Sequence, residues 1–245
     1  MRYERQLLMS QIGETGQKSL KESSVAVIGA GGLGSPILLY LTAAGIGNIC
    51  IIDDDILEVS NLNRQIIHNE HRLGEAKALS AEKSLNKLNS TTKILSNQVR
   101  LTKENILEVI GKPDLIIDAV DNVETRVLLN KFSLKYHIPI VFGAVESMTG
   151  YLLYVDPNKA NTPCYECLFP KDQKTTQKKV PIIGCTAGVV GSWQASEAIK
   201  ILTGQKMNTE LIYINLENNQ IQKIAVQQRK NCMCNQYRHQ DNQEI

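Results

Sequence analysis

No apolar run in this 245-residue sequence approaches the ~20 residues that a membrane-spanning helix requires, so no bilayer crossing is expected. The opening stretch MRYERQ lacks the apolar segment of a secretory leader. An excess of one charge is missing as well. Lys and Arg number 27 against 25 Asp and Glu, a net charge of +2, and the signs alternate along most of the chain. Such a balance leaves no nucleic-acid footprint. The local exception is 171–179, with four lysines and one aspartate. That run reads as a solvated loop, with a docking edge for an acidic partner as the alternative. No internal repeat is present. Cysteine is sparse, at 50, 164, 167, 185, 232 and 234, but four of these six fall in two close pairs. In a leaderless chain, close pairs point to a metal before disulfides. The expectation is a soluble, cytoplasmic protein with no membrane or nucleic-acid partner, long enough to bury a large core.

What is present is an alternation of strand and helix signals. The segment 24–29 (SVAVIG) reads as a buried strand, 29–34 as a glycine turn, 35–44 as a helix and 48–53 as a second strand ending in acids. This is a βαβ unit, so the sheet is parallel there. Pro36 is tolerated because it falls in the first helical turn. A polar helix is expected over 10–22, and another over 74–88 with Ala76, Leu79, Leu85 and Leu88 on one face. Strands are expected at 93–99, 115–118 and 139–143, with a helix at 123–136 between the last two. Beyond 145 the pattern changes to a strand at 150–155, a cysteine-bearing loop, a helix at 187–203 closed by Gly204, and a hairpin of 210–216 and 220–226 turning at Asn218-Asn219. The fold class is therefore α/β, a doubly wound, Rossmann-like and mostly parallel sheet with a C-terminal antiparallel extension. The whole chain is read as one domain, with a nucleotide-binding core over 1–145, a second part over 146–235 and a frayed tail over 236–245.

Three clusters carry chemistry. Gly29, Gly31, Gly32 and Gly34 lie between a strand and a helix, where glycines let backbone approach phosphates at a helix N-terminus. Asp53 closes the next strand, where an acid can hold a ribose hydroxyl. These features indicate a nucleotide without separating ATP from NAD. Asn61-Leu-Asn-Arg64 and Lys77 follow. Two fixed cations beyond the ribose acid suit a triphosphate and can neutralise charge developing on the α-phosphate. A dehydrogenase has no use for that pair, and no catalytic constellation for hydride transfer is evident. The third cluster, Asp118-Ala-Val-Asp121-Asn122, ends a buried strand, where open parallel sheets bind ligands. Asp121 is read as a Mg²⁺ ligand. A helix N-cap is the alternative, and Asn122 can take the cap instead. Asp118 is read as structural.

With RYERQ at 2–6, VAVIGAGGLGSP, Asp53-Asp-Asp55, SNLNRQ, Lys77, DAVDN, CYEC and GSWQASEAIKILTG in order across 2–235, the chain resembles the ThiF/MoeB/HesA family of bacterial relatives of ubiquitin-activating enzymes. The resemblance implies a nucleotide pocket holding Gly32, Asp53, Asn61, Arg64, Lys77 and Asp121, joined here by Asp55 and Asn122. It implies a homodimer in which Arg5 reaches the neighbouring subunit's ATP. The implied reaction is adenylation of the C-terminal Gly-Gly carboxylate of a ubiquitin-like sulfur carrier for thiamine or molybdopterin synthesis, with a separate sulfur donor protein. The residues 146–235 would then bear the carrier and a zinc. Arg64, Lys77, Asp121 and Arg5 would act in catalysis, the task being positioning and charge neutralisation. Other outcomes are a member acting on a different carrier, a tRNA or a peptide, or a nucleotide-binding scaffold without catalysis.

Cys164, Cys167, Cys232 and Cys234 can supply four thiolates to one zinc. The family usually has CxxC in both places, whereas the second pair here is CxC, and a one-residue spacer makes it harder for both sulfurs to face one ion. A redox CxxC is the lesser reading, because the first pair is not expected to open a helix. Cys185 is read as a buried small residue, since the family's reactive cysteine falls several residues earlier. The alternative, a thiolate favoured by a helix start, stays open. Cys50 is read as core, Trp193 as packing, and His68 and His71 as surface residues of a polar loop.

Overall fold

The computed structural model describes residues 2–159, 162–170, 180–207 and 209–240. The basic run 171–179 lies outside them. Two helices come first, α1 (Glu4–Leu7) and α2 (Gly13–Glu22), where a single helix was expected. The alternation follows: β1 (Ser24–Ile28), α3 (Gly34–Ala44), β2 (Asn48–Ile52), α4 (Lys77–Leu88), β3 (Lys93–Asn97), α5 (Ile106–Ile110), β4 (Leu115–Asp118), α6 (Val123–Tyr136) and β5 (Ile140–Glu146). Next come β6 (Thr149–Val155), α7 (Tyr165–Leu168), α8 (Gly184–Leu202), β7 (Glu210–Asn215), β8 (Gln220–Ala225) and α9 (Cys234–Gln240). The last helix covers part of the tail that was expected to fray. No helix of the described residues is long and apolar enough to cross a membrane.

The strands form one eight-stranded sheet in the order β3-β2-β1-β4-β5-β6-β7-β8. The first five in that order are parallel, and β6, β7 and β8 are added antiparallel. Burial explains why the inner strands are apolar throughout. In β1, Val25 and Val27 enter one core with α3, α4 and α8, while Ala26 and Ile28 enter a second core with α5 and α6. Each strand is thus covered on both faces and cannot alternate with polar residues. The chain order reverses between β1 and β4, which opens a crevice at their C-terminal ends.

The helix boundaries have local causes. Helix α3 ends at Gly45 with φ 89°, α6 at His137 with φ 55°, and Gly204 follows α8 with φ 76°. Asn122 caps α6 by accepting the Thr125 N–H, which leaves Asp121 free of that duty. Helix α4 differs from expectation. It begins at Lys77, and its buried face is Lys77, Ala78, Ser80, Ala81 and Leu85, whereas Leu79 and Leu88 are exposed. Its inward face is narrow because small residues pack against the sheet, so the larger leucines do not mark it. Cys50 is half-buried on β2, packed beside the second core.

A charge pair lies at the centre of the crevice floor. Asp118 is fully buried, and Arg126 Nε donates to its carboxylate at 2.9 Å. Arg126 also donates to the carbonyls of Val120 and Gly143. Burial pushes the Asp118 carboxyl up while Arg126 pulls it back, and the carboxylate in turn holds the guanidinium charged. Breaking a buried pair leaves an uncompensated charge, which costs about 3–5 kcal/mol. Arg126→Ala is therefore expected to lose stability on that scale in urea unfolding. A change within the error of the wild-type curve would show that the pair does not hold the β4 and β5 ends together.

Candidate active site

The glycine turn sits between β1 and α3 in the crevice. Gly29 has φ 103°, and a Cβ there would lie 2.5 Å from the Ala119 carbonyl oxygen. At Gly34 a Cβ would strike the Gly29 carbonyl. Both positions require glycine, so the turn is pressed against the end of β4. No side chain caps α3; the Ser35 N–H bonds the Gly31 carbonyl and Pro36 has none, while the Gly31, Gly32 and Gly34 N–H groups of the turn have no partner among the described residues. Asp53, just beyond β2, is tied to the turn. One carboxylate oxygen accepts the Ala30 N–H at 2.7 Å and the other accepts the Asp55 N–H at 2.9 Å. Burial pushes the Asp53 carboxyl up, and these two N–H groups together with Lys77 oppose the shift. Each oxygen keeps a lone pair for a hydroxyl.

The Asn61 loop brings Arg64 over the turn. Asn61 and Glu58 form a reciprocal capping box, so the Asn61 amide shapes the loop. The Arg64 stem lies beside Gly32, where an added Cβ would stand 3.5 Å from Arg64 Cγ and 3.3 Å from Ala187 Cβ. A larger residue at 32 would fill the gap between them. Arg64 Nη1 donates to the Ser60 carbonyl and to Asn63 Oδ1. Lys77 is held by Asp55 at 2.7 Å, with side-chain exposures of 7 % and 65 %. Its ammonium is thus directed toward the acidic end of β2 by the first turn of α4. Asp121 is exposed and has no partner among the described residues, leaving a carboxylate available to a cation.

The structure brings Gly29, Gly31, Gly32, Gly34, Asp53, Asp55, Asn61, Arg64 and Lys77 around one crevice, with Asp121 and Asn122 on the loop after β4. Arg5 is not among them. It is exposed, and its segment packs at the other end of α3 and α4, where Gln6 donates to the Ala44 carbonyl and Arg2 to the Leu88 carbonyl. The 11-residue α3 separates that end from the glycine turn by about 16 Å.

Several contributors were not expected. His68 is buried, not on the surface, because its ring fills the space between the turn and α4. His71 is exposed as expected. Gln65 is buried beside Gly31, and its Oε1 has no partner among the described residues. Gln194 of α8 donates to the Asp118 carbonyl and lies over Gly143. Cys185 is exposed, contrary to the expectation of burial. It belongs to the first turn of α8, which starts earlier than its apolar pattern suggests, and Gly184 rather than Cys185 abuts the Asn63 carbonyl. Trp193 donates to Glu197 within α8.

The four paired cysteines lie on the other face of the sheet, beside α6. All are buried, and their sulfurs lie within 4.8 Å of one another. Sγ separations are 3.9 Å for Cys164–Cys167, 3.5 Å for Cys164–Cys232 and 3.7 Å for Cys167–Cys234. Four thiolates ~2.3 Å from one tetrahedral ion stand ~3.8 Å apart, so the set fits zinc in size and chemistry. The CxC spacer does not prevent this gathering. Arg229 N–H, Gln228 Nε2 and Asn130 Nδ2 donate to these sulfurs, which favours thiolate charge. Cys164 does precede a helix, the single turn α7, against expectation.

The crevice and the sheet order define a doubly wound, mostly parallel α/β protein with its glycine turn at the topological switch point. A model of the ThiF family matches residues 3–236, and the chain belongs to that family. A protein named sulfur carrier protein adenylyltransferase from Thermus thermophilus is 39% identical over 240 residues, covering 94% of this chain and 89% of that protein. Adenylyltransferase and sulfurtransferase MOCS3 from Dictyostelium discoideum is 43% identical over 209 residues, 84% of this chain but 49% of that protein. The chain therefore spans about half the length of the MOCS3 relatives. In fold it is similar to E. coli MccB with MccA, at a TM-score of 0.85 and 23% identity, covering 95% of this chain and 73% of that one.

The exposure difference among the cysteines gives a direct test. Under native conditions iodoacetamide is expected to modify Cys185 first, with the buried four protected. Mass spectrometry showing Cys164 or Cys232 labelled as fast as Cys185 would contradict the observed burial.

Proposed function

We propose that this protein is an ATP-dependent adenylyltransferase. It activates the C-terminal Gly-Gly carboxylate of a small ubiquitin-like sulfur carrier and yields acyl-AMP and pyrophosphate. The observation that carries the reading is the placement of two cations at the glycine turn: Arg64 lying along Gly32, and Lys77 buried against Asp55. A dinucleotide needs no such pair, whereas a triphosphate does. The likeness to a protein named sulfur carrier protein adenylyltransferase, across 94% of this chain and 89% of that protein, supports it further.

In this reading the turn and the α3 N-terminus receive the phosphates, and Asp53 accepts a ribose hydroxyl. The carrier's carboxylate oxygen attacks the α-phosphate, a P–O bond forms, and the bond to the departing pyrophosphate breaks. Arg64 and Lys77 neutralise the charge that builds on the phosphoryl oxygens. Lys77 exchanges its contact with Asp55 for the nucleotide. Asp121 would hold Mg²⁺, which when bound would offset the charge of the phosphates. Because Arg5 lies at the far end of its own α3, it serves the site of a second copy in a homodimer. Zinc held by Cys164, Cys167, Cys232 and Cys234 would join the segment after β8 to α7. A separate donor protein supplies sulfur, and carriers of thiamine or molybdopterin synthesis fit the chemistry equally. None of these steps requires Cys185, since the attacking group is the carrier's own carboxylate.

Calorimetry is expected to show ATP binding and no comparable NAD binding; the reverse result would overturn the proposal. Arg64→Ala and Lys77→Ala should each lower carrier-dependent pyrophosphate exchange by roughly 10²–10³ with folding retained. Wild-type exchange in either variant would remove that residue from the site. Metal analysis is expected to find about one zinc per chain, as a four-thiolate site implies. A metal-free protein with all its thiols titratable in the folded state would contradict the zinc site.

A further inference from the structure

His68 has no part in the reaction as described, yet it is buried and fully engaged at the glycine turn. Its Nε2 lies 2.9 Å from the Ala30 carbonyl oxygen and its Nδ1 lies 2.9 Å from Ser80 Oγ. A carbonyl can only accept, so Nε2 carries the proton and Nδ1 accepts from the serine hydroxyl. Arg72 anchors the far end of this chain through the Ser80 carbonyl, at 2.5 Å, and reaches Ser84 as well. A continuous run of hydrogen bonds thus joins α4, which begins at Lys77, to the turn. Burial pushes the His68 pKa down, the Ala30 bond opposes that shift, and the Lys77 and Arg72 charges add to it, so the ring is held in the neutral form the geometry needs.

The Ala30 residue is gripped from both sides. Asp53 holds its N–H and His68 holds its C=O. The carbonyl of Ala30 and the N–H of Gly31 belong to one trans peptide plane and point in opposite directions. Turning that carbonyl toward His68 therefore turns the Gly31 N–H away from His68. The Gly31 N–H has no partner among the described residues. We propose that His68 is a positioning residue: by holding the Ala30 carbonyl, it aims the Gly31 N–H at a phosphate of the bound nucleotide. The inference rests on the nucleotide reading above and assigns to His68 no contact with the ligand.

The test compares ATP with adenosine, which lacks phosphate, by calorimetry and ligand-observed NMR. The proteins are wild type, His68→Phe, His68→Gln and His68→Asn. A glutamine amide reaches the Nε2 position and can donate to Ala30, whereas an asparagine amide reaches only the Nδ1 position. His68→Phe and His68→Asn are expected to weaken ATP by about 10-fold to 100-fold, the worth of one hydrogen bond to a charged group. Adenosine affinity should be unchanged, and His68→Gln should restore most of the ATP affinity. Equal losses for ATP and adenosine, unchanged ATP binding in His68→Phe, or equal behaviour of the Gln and Asn variants would overturn the role of His68 alone. If His68→Phe fails to fold, the Gln and Asn pair decides the matter. Wild-type protein that binds no ATP would overturn the nucleotide reading and this inference together.

Discussion

The close approach of β1 and β4 at their C-terminal ends governs the rest of the molecule. Gly29, at φ 103°, lets the chain turn directly against the Ala119 carbonyl, and Gly34 then starts α3 against the Gly29 carbonyl. Without that contact α3 could not begin over the sheet, and the glycine turn would not lie against the end of β4. The same point is where sheet order reverses, so the sequence of strands and the glycine turn create one cleft. Asp53 comes from one side of it and the Asp121 loop from the other. Arg126 locks the second side by binding Asp118, Val120 and Gly143 together.

Helix α8 completes the arrangement. Its Gly191 fits against the Leu33 carbonyl and Pro36, which lets α8 and α3 pack closely. Its first turn meets the Asn63 and Arg64 backbone at Gly184 and reaches Gly32 through Ala187. Farther along, Gln194 bonds to the Asp118 carbonyl at the end of β4. One helix from the second half of the chain therefore fixes three parts of the first half. That dependence explains why the crevice is not a property of the βαβ unit alone. The thiol cluster does the corresponding work on the other face, where it ties the segment after β8 to α6 and α7.

Most of the fold is legible in the sequence because the inner strands are continuous apolar runs flanked by glycine, proline and acids. The alternation of strand and helix gives the parallel, doubly wound class, while the order of the strands is seen only in the structure. Individual burial is less legible where it depends on what arrives from elsewhere. His68 sits in a polar stretch and carries no local sign of burial; Ser80 and Ala30, both distant in sequence, enclose it. Leu79 and Leu88 look inward-facing by size, yet α4 lies so close to the sheet that alanines and serine take the inner face. Cys185 has small and apolar neighbours in sequence, but the first turn of α8 directs Thr186 and Ala187 inward and leaves the thiol outside. The CxC pair suggests strain at a metal site until α9 is seen to begin at Cys234 and bring both sulfurs inward.

The central claim is that the glycine turn, Asp53, Arg64 and Lys77 together receive a nucleoside triphosphate. A crystal structure of the protein with a non-hydrolysable ATP analogue and Mg²⁺ tests this most directly. The account predicts phosphates over Gly31 and Gly32 within reach of Arg64 and Lys77, the ribose on Asp53, and the Lys77–Asp55 contact opened. A nucleotide bound elsewhere, or bound in the crevice with the Lys77–Asp55 pair intact and Arg64 turned away, would contradict it.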